Sequence, residues 1–499
     1  MFKGELYRYQ VDDVARMLKM GSGINATACG LGKTVETIAM CEFLHKKQKV
    51  ENVLIFCPRP SEWVRMIGIF SDSSVVEYKG GPQQRKKLAD TFLAGLPFYL
   101  VTTQGLVLQD FDVKLFRAIT SRETVLVFDE AHRIKNRKSR RSAAMKGLGL
   151  KAGVRLALTA TPIWNRADDL FGIMEWVDKD FFGLWGQFKE DYLVTNRFGK
   201  IVDYKNLDGL YKEVQPCMVR RTYDSPEVSE QIPELIEEVL PLSPGRDQQK
   251  FLDYCVRIIK GQLDELMESG EWDGKNVRAG SVFKFLVFLD RVGIDPQYTE
   301  EQVPEELKPF FEFEDGSGSI EGIKVTETLN LINDIVLTGE SVVVFCRYLS
   351  GLRAVRNRLP AKYKSFIYTG KQTETEKAVQ LARFRDEATK QGAVLLASDA
   401  GKESINVPEA KYVINIDVPW GHSEYVQRIS RIRRVDSRNK TVVAIQLLIP
   451  GLDEYKFLTS QWKGNVSDQV VDGAEEQGKK PKILDFLVDN KTKFDGRIV

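Results

Sequence analysis

The stretch Thr27-Ala28-Cys29-Gly30-Leu31-Gly32-Lys33-Thr34 limits what this chain can fold into more than any other. Apolar residues lead into it from Ile24 to Ala28. Val35, Ile38, Ala39 and Leu44 follow near helical spacing, so Gly32-Lys33-Thr34 should open a helix. A glycine turn that opens a helix aims free backbone N–H groups and the positive helix end at an anion. Gly30 and Gly32, either side of Leu31, let the backbone approach a phosphate closely. Lys33 can reach the outer phosphates, and the Thr34 hydroxyl can ligate magnesium. Thr27 stands where such loops usually begin with glycine, and a Gly-rich turn before a helix is the plain alternative.

A second stretch answers the first. Val125-Leu126-Val127-Phe128-Asp129-Glu130-Ala131-His132 is an apolar run ending in two carboxylates. It suits a buried parallel strand whose end enters an active site. Hydrolysis of a nucleoside triphosphate uses both acids. One holds magnesium on the β and γ phosphates; the other orients and polarises the attacking water. Asp129 is assigned to the metal and Glu130 to the water, with ATP and Mg2+ as cofactors. A strand followed by a solvated acidic turn is the alternative.

The 499 residues leave room for two or three domains. Lys and Arg number 72 against 70 Asp and Glu, so any nucleic-acid surface must come from local patches. The six cysteines are scattered and only three histidines accompany them, which argues against structural zinc and suits a reducing compartment. No apolar run approaches membrane-spanning length, and the Met1 end does not read as a signal peptide. A soluble cytoplasmic protein with no membrane partner is expected.

Along the chain, Leu6-Tyr7-Arg8-Tyr9-Gln10 opens an amphipathic segment. Gln10 can read the amide-like edge of adenine, and an aromatic such as Tyr9 can stack on it. Val53–Cys57 and Leu100–Gln104 are strands whose ends carry Arg59 and Thr103. Strand ends on one edge of a parallel sheet form a binding crevice. Such groups can contact a nucleic-acid backbone or simply cap the next helix. Arg133, Lys135, Arg137, Lys138, Arg140 and Arg141 form a basic run, read either as a solvated face or as a nucleic-acid patch. Leu156–Pro162 is a strand ending in Thr159 and Thr161. Their hydroxyls can link nucleotide state to movement by bonding the acidic pair, or cap their own strand end. Residues 163–225 are aromatic-rich, helical, and read as core rather than stacking platform.

Residues 226–320 change character: a long helical pattern from Gln248 to Glu268, an acidic stretch from Glu300 to Asp315, and a Gly-Ser string from Gly316 to Ser319. From Lys324 the strand–helix rhythm returns, with strands at Ser341–Phe345, Phe366–Tyr368, Val394–Asp399 and Val413–Ile416. Alternation of this kind implies a second parallel sheet. Arg347 and Thr369, which follow its strands, and Ser398, near the end of one, are candidate phosphate contacts. From 463 the chain turns polar, with Gly-Lys-Lys-Pro-Lys at 478–482. Gln427-Arg428-Ile429-Ser430-Arg431-Ile432-Arg433-Arg434 places four arginines within about two helical turns. Gln427, Arg431 and Arg434 share a helix face at i, i+4 and i+7. An arginine reaching a γ phosphate stabilises transition-state charge; a basic helix on acidic neighbours is the alternative.

Together these strings resemble the superfamily 2 helicases and translocases, specifically the Swi/Snf-like group. Gly30–Thr34 is similar to its motif I, and Asp129-Glu130-Ala131-His132-Arg133-Ile134-Lys135-Asn136, with its DEAH string, to motif II. Leu158-Thr159-Ala160-Thr161-Pro162 with Asn165 resembles motif III, and Met218-Val219-Arg220-Arg221-Thr222 the segment joining two lobes. Ser398-Asp399-Ala400-Gly401 through Asn406 resembles motif V, and Gln427–Arg434 motif VI.

The resemblance implies an α/β fold of two RecA-like parallel-sheet lobes with a helical insertion between them and ATP bound in the cleft. The expected division is 1–225, 226–320, 321–462 and a polar tail, 463–499. The implied activity is that of an ATP-dependent DNA translocase or helicase, acting on duplex, forked or branched DNA. An RNA helicase, or a motor or scaffold subunit of a larger complex, stands beside it. The compactness of the chain resembles bacterial or phage members of the group rather than chromatin remodellers. The oligomeric state is not legible.

Overall fold

The computed structural model describes residues 1–92, 95–164, 166–268, 279–296, 322–402, 405–474 and 481. Asn165, the acidic stretch, the Gly-Ser string and, Pro481 apart, the 478–482 string lie outside the described residues. These residues form two compact units. Met1–Gln231 joined by the chain from Lys463 makes the first, and Ile232–Trp462 the second.

The first unit is built on a seven-stranded sheet. Its order is Val75–Tyr78, Tyr99–Thr103, Asn52–Cys57, Thr124–Asp129, Val154–Leu158, Gly23–Asn25 and Met218–Val219. Every neighbouring pair is parallel. The central strands are continuous runs of Val, Ile, Leu and Phe because both faces are covered. Ile55, Val101, Val127 and Leu156 enter one core with Ile38 and Cys41. Phe56 and Phe128 point to the other face, against Phe116 and Trp176. A parallel sheet puts all carboxyl ends on one edge. The register Cys57↔Thr103, Asp129↔Leu158 and Asn25↔Leu158 lines the candidate residues along it.

The aromatic section 163–225 is partly helical, through Asp169–Val177, Trp185–Tyr192 and Leu207–Val214. It also holds a hairpin, Leu193–Thr195 with Ile201–Tyr204, turned at Gly199 with φ 75°. Trp176 and Phe188 are fully buried, and Phe171, Phe182, Trp185 and Phe188 stack edge to face. The density of rings is core.

The second unit has a six-stranded parallel sheet. Its order is Glu234–Pro241, Thr441–Leu448, Tyr412–Asn415, Val342–Phe345, Val394–Ala397 and Ser365–Tyr368. Strand periodicity divides its residues cleanly. Val342, Val344, Leu396 and Ile414 enter one core, and Val343, Phe345, Leu395 and Val413 the other. Both units are therefore RecA-like α/β lobes, as expected. The helical insertion is present as Arg246–Glu268 and Ala279–Ile294.

Two boundaries differ from expectation. Glu234–Pro241 is a strand of the second sheet, paired along its length with Thr441–Leu448, so that lobe begins well before 321. Its glutamates hide the pattern, because an edge strand leaves half its surface to water. The tail expected from 463 is also not simply polar. Helix Leu452–Asp472 runs through that point, and Val466, Val470 and Val471 are buried. The guanidinium of Arg220 holds Asp472 through two bonds of 2.8 Å.

The insertion helix is fixed to the second unit by buried charge. Lys456 Nζ meets Asp290 Oδ2 at 2.7 Å, with both side chains 1 % exposed. The Tyr348 hydroxyl donates to the same oxygen at 2.7 Å. Breaking such a pair leaves one charge unpaired and costs about 3–5 kcal/mol, whereas removing both partners is close to neutral. Lys456→Met is therefore expected to lower the thermal midpoint strongly, and Lys456→Met with Asp290→Leu to recover most of the loss. Equal destabilisation by the single and double variants, read by calorimetry, would contradict this account.

Candidate active site

The phosphate loop of the first lobe is held in shape from both sides. The short strand Gly23–Asn25 leads into it, flanked by Val154–Leu158 and Met218–Val219. Beyond the strand the pairing continues, with Ala26 N donating to Val219 O at 2.7 Å and Ala28 N to Arg221 O at 2.9 Å. Arg220 Nη1 donates to Ala26 O at 2.8 Å and Ala160 O at 3.1 Å. Tyr223 Oη donates to Cys29 O at 2.8 Å. Gly30 and Gly32 turn with φ of 80° and 103°, and helix Lys33–Lys46 starts at once. Lys33 Nζ donates to the loop carbonyls of Thr27, at 2.7 Å, and Ala28, at 3.2 Å. Thr34 follows it, half-buried.

Tyr9 and Gln10 support this loop from below. Tyr9 Oη donates to Leu31 O at 2.8 Å, and Gln10 Nε2 to the same carbonyl at 3.0 Å. Gln10 Oε1 accepts from Tyr7 N at 3.1 Å. A Cβ on Gly32 would lie 2.1 Å from Gln10 Nε2 and displace that amide, and the φ of 103° itself favours glycine here. Tyr9 is fully buried, and a buried ring offers no face to a base. The exposed ring here is Tyr7, stacked on Tyr9 with centroids 5.8 Å apart. The stacking role expected of Tyr9 is therefore corrected: Tyr9 braces the loop.

The acidic pair closes the strand at the same sheet edge. Asp129 Oδ2 accepts from Trp63 Nε1 and Oδ1 from Glu130 N, both at 3.0 Å. Gln104 Nε2 donates to the Asp129 carbonyl. Burial, then the charge of Glu130, push the Asp129 carboxyl up to about 6, while Trp63 and Lys33 pull the other way. Glu130 has φ 51° and ψ 54°, the left-handed region, where a residue with a Cβ is strained. That turn swings its side chain toward His132, whose Nδ1 lies 3.2 Å from Glu130 Oε2. His132 in turn stacks on Trp164, centroids 4.0 Å apart. Thr159 Oγ1 accepts from Thr161 N at 3.2 Å, so its hydroxyl shapes the turn beside the acids.

The sequence did not single out Trp63, Gln104, His132 or Arg220 for these contacts. The bonds of Trp63, Gln104 and Arg220 are long-range, without a local spacing signature, and His132 combines a neighbour two residues away with a ring stack on distant Trp164. The basic run is largely structural. Arg137 lies over Phe171 and Trp185, Lys135 pairs with Asp169 at 3.2 Å, and Arg133 donates to Gln104. Lys138 and Arg140 are the exposed members. Arg59 precedes the first turn of helix Pro60–Phe70, and Thr103 ends its strand; both are half-buried at the common edge.

In the second lobe, Arg347, Thr369 and Ser398 also follow strand ends. Thr369 and Ser398 are buried, with Ser398 Oγ accepting from Ala400 N. Arg347 bonds Asp399 at 3.0 Å and also holds Glu424. Arg428, fully buried, bonds Asp399 at 3.0 Å and Asp417 at 3.1 Å. Burial would raise the Asp417 carboxyl, but Arg428 and Lys456 hold it well below the usual range. Two guanidiniums meet three carboxylates, so Arg347 is not the free phosphate contact expected of it. The shared helix face expected for Gln427, Arg431 and Arg434 is also corrected. Helix His422–Ile429 ends before the last two. Arg431 folds back onto Gln427 O at 2.8 Å, where it satisfies an end carbonyl of that helix. Gln427 is buried, and Arg434, 22 % exposed, meets Asp436 at 3.1 Å.

Beneath the loop, Glu36 is fully buried and bonded to Asn25 Nδ2 at 2.7 Å. Burial pushes its carboxyl up from 4.5 to about 8. A folded-state value above the unfolded one gives stability that is complete below pH 4.5 and lost as pH rises toward 8. Glu36→Gln is thus expected to raise the thermal midpoint at pH 8 and leave it nearly unchanged at pH 4. The same shift at both pH values would mean that Glu36 is not carrying a proton.

Comparison with known proteins agrees with this arrangement. The SNF2-related domain family matches residues 9–298, and the helicase conserved C-terminal domain matches 324–436. ATP-dependent helicase brm of Drosophila melanogaster is 23 % identical over 501 residues, covering 94 % of this chain and 29 % of that protein. The putative ATP-dependent helicase/translocase YwqA of Bacillus subtilis is 24 % identical over 484 residues, covering 94 % and 49 %. The chain thus spans about half or less of the length of these relatives. The Sulfolobus solfataricus SWI2/SNF2 ATPase core in complex with dsDNA aligns with a TM-score of 0.42, at 22 % identity and 94 % of each chain. With more than half of its length matched by that first family, the chain belongs to the SNF2-related, Swi/Snf-like group of superfamily 2.

Proposed function

We propose that this protein hydrolyses ATP and uses the cycle to translocate along DNA. The observation that carries the reading is the joint placement of the phosphate loop and the Asp129–Glu130 pair at one edge of a single parallel sheet. A phosphate-binding helix start and two carboxylates in reach of it suit phosphoryl transfer to water. The Arg133-Ile134-Lys135-Asn136 extension that resembles the Swi/Snf-like motif II, and the SNF2-related family match over residues 9–298, favour DNA as the track. Forked or branched DNA is the finer proposal, and RNA is an outcome of the test.

The residues fit a magnesium ion. Their donors are oxygens, the Asp129 carboxylate and the Thr34 hydroxyl, which are hard ligands that suit Mg2+. When bound, the ion supplies neutralisation of charge on the β and γ phosphates. Lys33 contributes a positive charge at the loop. Glu130 orients the attacking water, with His132 Nδ1 standing 3.2 Å from its Oε2. Thr159 and Thr161, beside the acids, would carry nucleotide state into the lobe. Arg434 is the proposed finger of the second lobe. Its contact with Asp436 is exposed, and such a pair is worth at most about 1 kcal/mol, so it exchanges readily for a phosphate. Arg59 and Thr103 are the proposed backbone contacts of the first lobe, which predicts weak sequence preference and strong salt dependence.

Steady-state ATP hydrolysis tests the reading, measured alone and with single-stranded DNA, blunt duplex, a forked junction and RNA at one fixed salt. Stimulation by duplex or fork is expected. Stimulation by RNA alone would move the track to RNA, and no stimulation would make the protein a scaffold or a subunit awaiting its partner. Glu130→Gln is expected to keep ATP binding and lose roughly a hundredfold or more in turnover, as for loss of a general base. Normal turnover would remove Glu130 from its role. Arg434→Ala should spare nucleotide binding and slow hydrolysis; lost affinity with full turnover at saturation would exclude it as the finger.

A further inference from the structure

Trp63 belongs to neither the phosphate loop nor the acidic strand end. It lies in the first turn of helix Pro60–Phe70 and is 3 % exposed. Its ring sits in the apolar core with Ile67, Val101 and Val127. Its N–H leaves that core and donates to Asp129 Oδ2 at 3.0 Å. A buried indole N–H needs an acceptor, but any carbonyl would serve. Here the acceptor is the carboxylate proposed to hold the metal. The other oxygen, Oδ1, accepts from Glu130 N at 3.0 Å. Each carboxylate oxygen thus has one donor and keeps a lone pair. Of these two donors, the indole alone comes from outside the acidic strand and its turn.

We infer that Trp63 is a positioning residue: its indole N–H holds the Asp129 carboxylate in the orientation that presents an oxygen lone pair to Mg2+. The inference rests on the proposed nucleotide site. The terminal torsion of an aspartate is broad and soft. Without the indole bond the carboxylate samples several orientations, and a metal with strict octahedral demands meets only a fraction of them. The aromatic body of Trp63 serves the core; the N–H serves the site.

The test is equilibrium binding of a fluorescent ATP analogue through a Mg2+ titration and again in EDTA, with folding followed by circular dichroism. Two replacements separate the roles. Trp63→Phe keeps an aromatic body and loses the N–H. Benzothienylalanine introduced at position 63 puts sulfur in place of the N–H at nearly the same volume. In both, the Mg2+ midpoint is expected to rise roughly tenfold, as for a lost hydrogen bond to a charged group. Binding in EDTA stays unchanged. If the Phe variant unfolds, the isostere decides. An unchanged Mg2+ midpoint with the isostere overturns the inference and leaves Trp63 a core residue. Failure of the unmodified protein to bind the analogue at any Mg2+ concentration overturns the nucleotide site itself, and the inference with it.

Discussion

The phosphate loop depends on hydrogen bonds to a segment nearly two hundred residues further along the chain. A three-residue strand, Gly23–Asn25, is too short to hold a loop by itself. It gains rigidity because Met218–Val219 pairs along its open side and Val219 and Arg221 continue the bonding into the loop. Arg220 adds a guanidinium that gathers Ala26 O, Ala160 O and Asp472. The loop is thus fixed by backbone groups that would otherwise be buried without partners. Tyr9 and Gln10 complete it from beneath, with the Gln10 amide lying against Gly32 where a Cβ would otherwise stand. Remove that frame and the glycines at Gly30 and Gly32 would sample many turns rather than one.

The two lobes use charge differently. In the first, Lys33, Asp129 and Glu130 gather at the sheet edge, and burial raises the Asp129 carboxyl to about 6. In the second, Arg347 and Arg428 are paired with Asp399, Asp417 and Glu424. That ion network lies at the matching edge of its own sheet, behind Phe345, Ala397 and Asn415. Its worth as stability is small beside the cost of bringing the charges out of water. It sets geometry instead: Arg428 fixes where Asp399 and Asp417 stand, and Arg347 is fixed by Asp399 and Glu424 in turn.

The fold was legible because parallel sheets write themselves as apolar runs, and Asn52–Cys57, Thr124–Asp129 and Val342–Phe345 are such runs. Glu234–Pro241 escaped because glutamates at 234, 237 and 238 interrupt the apolar run of this edge strand. The loop and the acidic pair were legible because each is a local string with a required order. Trp63 and Arg220 were not, because a hydrogen bond across 66 or 252 residues leaves no spacing to read. Arg347 is read from its place after a strand and Arg431 from its place in an arginine cluster, yet a guanidinium's partners decide its work, and only the folded structure brings those partners together. The helix face drawn through Gln427, Arg431 and Arg434 failed for a simpler reason. The helix stops at Ile429, and periodicity does not mark where a helix ends.

The central claim is that the loop and the acidic strand end form one site for Mg2+–ATP. Isothermal titration of ATP with Mg2+ into the protein and into Lys33→Ala tests it most directly. One site per chain is expected for the unmodified protein, with affinity lost by roughly tenfold or more when the charged hydrogen-bonding ammonium is removed. Equal affinity and stoichiometry for both proteins would contradict the account, because ATP would then bind somewhere other than the loop.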